Sequence, residues 1–181
     1  MNVLPTPTRL IDAHVGGVLT RVVVSGGPAL AGATMTDRLA AFAAGHDAWR
    51  LALTGAPRSA PGTQAALLTD PERPGSLAGV LFLASTGPVA ATPDSLIAVL
   101  AALAHVGRLR PGPVRLDTPE GTIAASFALD GTVRFDDPAL EQREGRGHIL
   151  LDGTWVAEPD DPLAWGAPVS ASPDAAAVGG D

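Results

Sequence analysis

The stretch TPDSLIAVLAALAHVG at residues 92–107 decides the fold. Its larger apolar residues recur at the i, i+3, i+4, i+7 spacing of an α-helix, at Leu96, Val99, Leu100 and Leu103. Isoleucine and alanine fill the positions beside this stripe, so the helix is apolar around most of its circumference. We therefore predict that Leu96–Val106 is a central buried helix with a curved sheet wrapped around it.

Both ends of this helix are marked. Thr92 is a suitable N-cap, and Pro93 suits the first helical position because its missing N–H would be unpaired there anyway. Asp94 favours the positive end of the helix dipole, and Gly107 ends the helix.

Two interpretations of this N-terminus stay open. A helix N-terminus in a crevice can bind a carboxylate or lower the pKa of a nucleophile. Here Asp94 already places a carboxylate in the first turn, and Pro93 removes one N–H donor. The same residues also fit an ordinary capped core helix, which is the more frequent use of such caps.

Composition limits the class of protein. A chain of 181 residues, 46% hydrophobic and 17% charged, fits one domain with a real core. Aromatic residues make up only 4%, so alanine, valine and leucine must build that core. The net charge of −7 argues against binding to nucleic acid and to an anionic membrane surface.

The chain contains no cysteine, which excludes disulfides, thiolate metal sites and cysteine nucleophiles. Its four histidines lack metal-ligand spacing, so we predict no metal and no cofactor. Met1–Arg9 has two prolines and no apolar signal-peptide core, and no apolar run is long enough to span a bilayer. We therefore expect a soluble, cytoplasmic protein.

The remaining elements are mostly short strands. Leu10–Val24 is predicted to form a hairpin around Gly16-Gly17, and two helices are predicted to begin near Thr36 and Asp47. Further strands are predicted at Ala65–Leu68, Gly79–Leu83, Val114–Asp117, Thr122–Leu129 and Thr132–Phe135, the last two joined by a turn at Asp130-Gly131.

The C-terminal part is predicted from turn signals and composition. Asp136–Gly147 is charged and predicted to be a loop, followed by a hairpin with its turn at Asp152-Gly153. From Glu158 onward proline, aspartate, alanine and glycine dominate. We therefore predict one domain over residues 1–157 and a disordered tail over Glu158–Asp181, with Trp165 as a local anchor.

Several motifs occur together in a fixed order. IDAHVGGVLTRVVVSGGP at residues 11–28 is followed by DAWR at 47–50, APRS at 56–59 and LDTPEG at 116–121. Together they resemble the proline racemase family, which includes hydroxyproline epimerases and trans-3-hydroxyproline dehydratases. The resemblance extends from Leu10 to Ala157 and covers about the first half of a family member.

This resemblance implies an α/β (α+β) fold similar to that of diaminopimelate epimerase. Two similar halves each wrap a curved, mostly antiparallel sheet around a central helix, and this chain would be one such half. In family racemases each half supplies a cysteine at its helix N-terminus, one removing the α-proton and the other delivering a proton. Backbone N–H groups of the same turns hold the substrate carboxylate.

The chain departs from the family at the catalytic turn. The family motif M-C-G-H-G-T falls on residues 91–96, which places Thr92 at the cysteine and Asp94 at the histidine. These two are the candidate catalytic residues, and Ser95 beside them is a candidate for substrate binding. A threonine hydroxyl has no useful basicity at neutral pH without a neighbouring base. The family's second half, with its own cysteine, has no counterpart here.

Four further polar residues have a functional and a structural interpretation. Asp12 and His14, two apart on one strand, could form a substrate-binding pair near the crevice or serve as hydrogen-bonded structural groups. Arg21 and Arg50 could bind an anion or form salt bridges to nearby aspartates, Asp12 or Asp47.

The leading hypothesis is a truncated, catalytically degenerate proline racemase-like domain that acts as a binding or partner protein. It would form a homodimer or bind a partner that supplies the missing half, and its small-molecule ligand would be proline-like. The alternative is a diverged proline or hydroxyproline isomerase, or a hydroxyproline dehydratase, using Thr92 and Asp94 in a site completed by another chain. A structural fragment without a ligand is a third possibility.

Overall fold

The computed structural model describes residues 7–137, 140 and 144–167. Within them the chain forms thirteen helices and strands. In chain order these are β1 Thr8–Val15, β2 Val18–Ser25, α1 Met35–Gly45, α2 Asp47–Thr54, β3 Gln64–Thr69, β4 Ala78–Ala84, β5 Gly87–Val89, α3 Pro93–His105, β6 Gly112–Thr118, β7 Gly121–Phe127, β8 Thr132–Phe135, β9 Glu144–Arg146 and β10 His148–Trp155.

The strands form one mixed sheet in the order β10-β1-β2-β3-β4-β6-β7-β8-β9, with β5 paired to β4. The β2–β3 and β4–β6 pairs are parallel, and the other described pairs are antiparallel. The two edge strands, β9 and β10, are separated in sequence only by Gly147. The sheet therefore curves into a nearly closed barrel, and the predicted fold class is confirmed.

Helix α3 lies inside this barrel. Every residue from Ser95 to Leu103 is buried, as its all-round apolar character predicts. Two glycines let β9 and its connection to β10 approach the helix closely. A Cβ at Gly147 would lie 2.7 Å from Ala101 Cβ, and one at Gly145 would lie 3.0 Å from Ile97 Cδ1. Because glycine has no side chain, the backbone at these two positions can pack directly on α3 and the barrel can close over the helix.

The predicted ends of the central helix are confirmed. Thr92 is the N-cap and Pro93 the first helical residue. At the other end Gly107 has φ +75°, and the Arg108 N–H donates to Leu103 O at 2.8 Å. This is the Schellman arrangement, in which glycine adopts the left-handed conformation at low cost.

Helices α1 and α2 cover the outer face of the sheet over β2, β3 and β4. They connect the parallel strands β2 and β3, as such a pair requires a crossover. Their apolar side chains form a second core on this face, with Phe42, Trp49 and Leu53 among its buried members. The Gly16-Gly17 turn and the β1–β2 hairpin are as predicted.

The predicted turn at Asp152-Gly153 is wrong. Strand β10 continues through both residues, because Ile11 and Leu10 of β1 lie opposite them in the ladder. The Asp152 carboxylate accepts hydrogen bonds from Arg9 Nη2 at 2.6 Å and lies 3.0 Å from His105 Nε2. These partners, Arg9 first and then His105, lower the pKa of Asp152 to about 2. Long-range pairing has overridden a local turn signal.

Two further predictions concern the C-terminal part. Strand β9 lies within Asp136–Gly147, which was predicted as a loop. Residues 158–167 of the predicted tail are described and pack on the domain through Trp165, whose ring centroid is 5.1 Å from that of Trp155. The Ala167 N–H donates to Ala56 O at 2.8 Å. Residues 168–181 lie outside the described residues, and the tail there stays a prediction.

Candidate functional site

The N-terminus of α3 is capped by its own side chains. Thr92 is extended, with φ −112° and ψ 156°, and its Oγ1 accepts a hydrogen bond from the Ser95 N–H at 3.2 Å. In return the Thr92 N–H donates to Ser95 Oγ at 3.0 Å. This reciprocal pair is a capping box, with serine in the position where glutamate or glutamine is usual.

The two hydroxyls of this box also bind each other. Thr92 Oγ1 and Ser95 Oγ are 3.0 Å apart, and Ser95 Oγ donates to Thr92 O at 3.0 Å. Ser95 is buried, whereas Thr92 is exposed at the surface. These partners include no base that could take a proton from Thr92 Oγ1. The arrangement stabilises the helix end.

The first turn is also a poor cradle for an anion. Pro93 has no N–H, and the Ser95 N–H is already bound to Thr92 Oγ1. Asp94, half-buried beside them, adds a negative charge at the positive end of the helix. A ligand carboxylate would meet fewer free donors here than at an unfilled helix N-terminus.

Asp12 lies away from this turn and forms a buried ion pair with Arg21. Two parallel hydrogen bonds of 2.8 Å join the guanidinium to the carboxylate, and both residues are less than 9% exposed. Leu10 belongs to the core under α1 and α2, whereas Ile11 belongs to the core around α3. Strand alternation therefore places Asp12 on the outer face of the sheet, and α3 lies on the inner face.

Arg21 joins three segments of the chain. Its Nη1 donates to Ser59 Oγ at 2.7 Å and to Leu53 O at 3.3 Å. Ser59 Oγ donates in turn to Leu53 O at 2.7 Å. The salt bridge, one of two uses predicted for Arg21, therefore fixes the hairpin to the end of α2 and to the following loop.

His14 and Asp12 do not pair with each other. The His14 ring stacks on His148 of β10, with centroids 5.4 Å apart, and its Nδ1 accepts from the Gly17 N–H at 3.2 Å. Arg50 binds Asp47 through two hydrogen bonds of 2.6 and 2.9 Å, the salt bridge predicted as one of its uses. Of the five candidate site residues, the structure brings together Thr92, Asp94 and Ser95 only.

Asp117, within the LDTPEG motif, is a structural centre that sequence analysis missed. Its carboxylate accepts from the N–H groups of Glu72 and Arg73, both at 2.9 Å, and from the hydroxyls of Ser76 and Thr122. Burial alone raises the pKa of a carboxyl, but these donors outweigh it and hold the pKa of Asp117 below its ordinary value. The sequence signal that could have identified this role is an aspartate within a strand, directly before a Thr-Pro turn.

Other classes of site receive no support from the described part of the chain. Within residues 7–137, 140 and 144–167, no three or more histidine, aspartate or glutamate side chains are placed to hold a metal ion. No helix among these residues has the length and hydropathy needed to cross a membrane.

Comparison with curated proteins gives consistent relatives. The chain is 37% identical over 155 residues to a 4-hydroxyproline 2-epimerase of Chromobacterium violaceum. It is 42% identical over 155 residues to a 4-hydroxyproline epimerase of Burkholderia pseudomallei. Each alignment covers 81% of this chain, and the chain spans about half the length of these relatives.

Solved structures give the same result. A probable proline racemase from Agrobacterium radiobacter, with bound carbonate, matches with a TM-score of 0.65 and 27% identity, over 70% of this chain and 40% of that one. A hydroxyproline epimerase from Agrobacterium vitis, with bound trans-4-hydroxy-L-proline, matches with a TM-score of 0.65 and 25% identity, over 72% and 42%. The family model described as Proline racemase matches residues 10–142. The chain belongs to the proline racemase family.

Proposed function

We propose that this chain is a catalytically degenerate member of the family that acts by binding a partner. The observation that carries the proposal is the closed cap at α3, where Thr92 Oγ1 and Ser95 Oγ are 3.0 Å apart. Racemisation needs a positioned group that removes and returns a proton near neutral pH. A threonine hydroxyl hydrogen-bonded to a serine hydroxyl is not such a group.

The partner would bind at the end of the barrel where α3 begins. The resemblance implies that, in full-length family members, each half covers the crevice face of the other half. At this end Thr92 is exposed, and Val18, at the tip of the β1–β2 hairpin, is 47% exposed. The simplest partner is a second copy of this chain related by a two-fold axis, which gives a closed dimer. The other candidate partner is a different polypeptide that carries a second half.

The alternative is a diverged proline or hydroxyproline isomerase, or a hydroxyproline dehydratase. Its site would use Thr92 and Asp94 and would be completed by another chain. The curated relatives are named as 4-hydroxyproline epimerases, which favours a proline-like ligand if this alternative holds. The closed cap and the carboxylate in the first turn weigh against it.

Purified protein is expected to show no α-proton exchange with L-proline or trans-4-hydroxyproline in deuterated water. The physical reason is that the chain has no thiol and that Thr92 Oγ1 is engaged in capping α3. Proton NMR of the substrate measures the exchange, and a homologous hydroxyproline epimerase serves as the positive control. Thr92→Cys alone is also expected to stay inactive, since the second proton carrier is still missing. Exchange that disappears in Thr92→Ala would contradict the proposal and establish the alternative.

The protein is also expected to associate through the Val18 end of the barrel. Size-exclusion chromatography with light scattering at micromolar concentration should give a mass above that of one chain. Val18→Asp should weaken the association by placing a charge in the interface. Leu129→Asp, at a residue 93% exposed beside the β7–β8 turn, is the matched control and should leave it unchanged. A monomer, or equal effects of the two substitutions, would refute binding at this face.

A further inference from the structure

A polar cleft lies at the other end of α3, about 20 Å from the capped N-terminus as judged by the length of the helix. Its volume is about 520 Å³, within the range of small-molecule sites. It opens where the parallel strands β2 and β3 end. Its polar and glycine lining includes Ser25, Gly26, Gly27, Arg38, Asp70 and Arg108.

The position of this cleft in the fold is favourable for an anion. Strand β2 leads into the loop 26–34, which leads to α1, and the chain returns through α2 to β3 beside β2. Doubly wound parallel sheets commonly bind ligands beyond the carboxyl ends of their strands. The parallel β2–β3 pair of this mixed sheet likewise has its carboxyl ends at the cleft. The N-terminus of α1 is not available to bind the anion. Its Met35 N–H donates to Glu72 Oε2 at 2.6 Å, and Thr34 forms a capping box with Asp37.

Two guanidinium groups reach the cleft from different elements. Arg38, on α1, is fixed by hydrogen bonds to Gly32 O, Thr69 Oγ1 and Asp70 O. Arg108 follows α3 and is exposed, and its Nη1 donates to Val24 O at 3.3 Å. A guanidinium has five N–H donors, so most of those on Arg108 can still bind a ligand.

The charge of the lining favours an anion. Among the charged residues that line the cleft, Arg38 and Arg108 contribute two positive charges and Asp70 one negative charge. A lone carboxylate offers two oxygens and matches one guanidinium fork. A phosphate dianion offers three oxygens and two charges, so it can bind both arginines together.

We propose that this cleft binds the phosphate dianion, free or as the phosphoryl group of a small phosphomonoester. Arg108 is the adaptable donor and Arg38 the fixed one, and Ser25 also belongs to the lining. The Asp70 carboxylate limits the affinity by repulsion. This site is independent of the function proposed for the α3 N-terminus.

The test is a titration of the whole chain with inorganic phosphate. Isothermal calorimetry measures the affinity, and the chemical-shift changes of the backbone amides in NMR spectra locate the site. Saturable binding in the millimolar range is expected, with the largest shifts at Gly26 and Gly27. Arg108→Gln should weaken binding about tenfold, as expected for the loss of one charge-assisted pair. Arg110→Gln removes the same charge from an exposed residue outside the lining and should leave the affinity unchanged.

Two further arms make the result decisive. Asp70→Asn should tighten phosphate binding about threefold, because it removes the repelling charge. Glycerol 3-phosphate tests the ester form, and tighter binding than inorganic phosphate would identify a phosphomonoester as the ligand. Acetate at matched ionic strength should not saturate. Absence of saturable phosphate binding, or equal weakening by Arg108→Gln and Arg110→Gln, would overturn the proposal.

Discussion

Arg21→Met is expected to lower the free energy of unfolding by about 3–5 kcal/mol, measured by urea denaturation. The substitution leaves the Asp12 carboxylate buried without its partner, and the desolvation of that charge is then uncompensated. It also removes the hydrogen bonds from Arg21 to Ser59 Oγ and Leu53 O. The hairpin would thereby lose its fixed connection to the end of α2.

A second variant separates the cost of the orphaned charge from the loss of packing. Asp12→Leu combined with Arg21→Met removes both charges, so the pair of substitutions should destabilise less than Arg21→Met alone. Arg134→Met is the surface control, since the Arg134–Glu144 pair is 67% and 56% exposed and should contribute no more than about 1 kcal/mol. A double variant as unstable as the sum of its single changes would show that the ion pair is not the cause.

The Asp12–Arg21 pair could be predicted because its geometry is local. A two-residue turn at Gly16-Gly17 sets the register of the β1–β2 hairpin, and this register places Asp12 directly opposite Arg21. Helix α3 was predictable for the same reason. Its apolar spacing, its cap and its terminal glycine all lie within sixteen consecutive residues, so local signals agree.

The sequence could not place the features that depend on distant partners. Asp152-Gly153 resembles a turn in isolation, but the ladder with β1, about 140 residues earlier in the chain, keeps both residues in a strand. Strand β9 is charged and short, and it exists because β8 pairs with it. At the candidate site, Thr92 was identified as a cap, but the position of Ser95 gave no sign that its hydroxyl binds Thr92 instead of a ligand.

The polar groups at the two ends of α3 are used in different ways. At the N-terminus Thr92 and Ser95 bind each other in a capping box, and we propose that this helix start is structural. At the C-terminal end the Schellman turn leads into Arg108, whose side chain lies in an open polar cleft. Family membership alone predicts a ligand at the first end, whereas the anion site that we propose lies at the second.

Asp117→Ala is expected to lower the free energy of unfolding by about 3 kcal/mol. The carboxylate is 2% exposed and connects β6 to the loop before β4 through two backbone N–H groups and the Ser76 hydroxyl. Removing it leaves these donors without their acceptor in a site from which water is largely excluded. Glu120→Ala, at an exposed residue in the adjacent turn, is the control and should change stability by less than about 0.5 kcal/mol.

The acid dependence of stability tests the same carboxylate more specifically. Because the fold holds the pKa of Asp117 below its ordinary value, its ionised form stabilises the folded state at every pH above about 4, the unfolded value. This contribution is lost as the pH falls from there through the folded pKa. Asp117→Asn, which cannot ionise, should therefore be less stable at neutral pH and should approach the wild type as the pH is lowered. A constant difference between the two proteins across this range would show that Asp117 stabilises the fold by its shape and not by its charge.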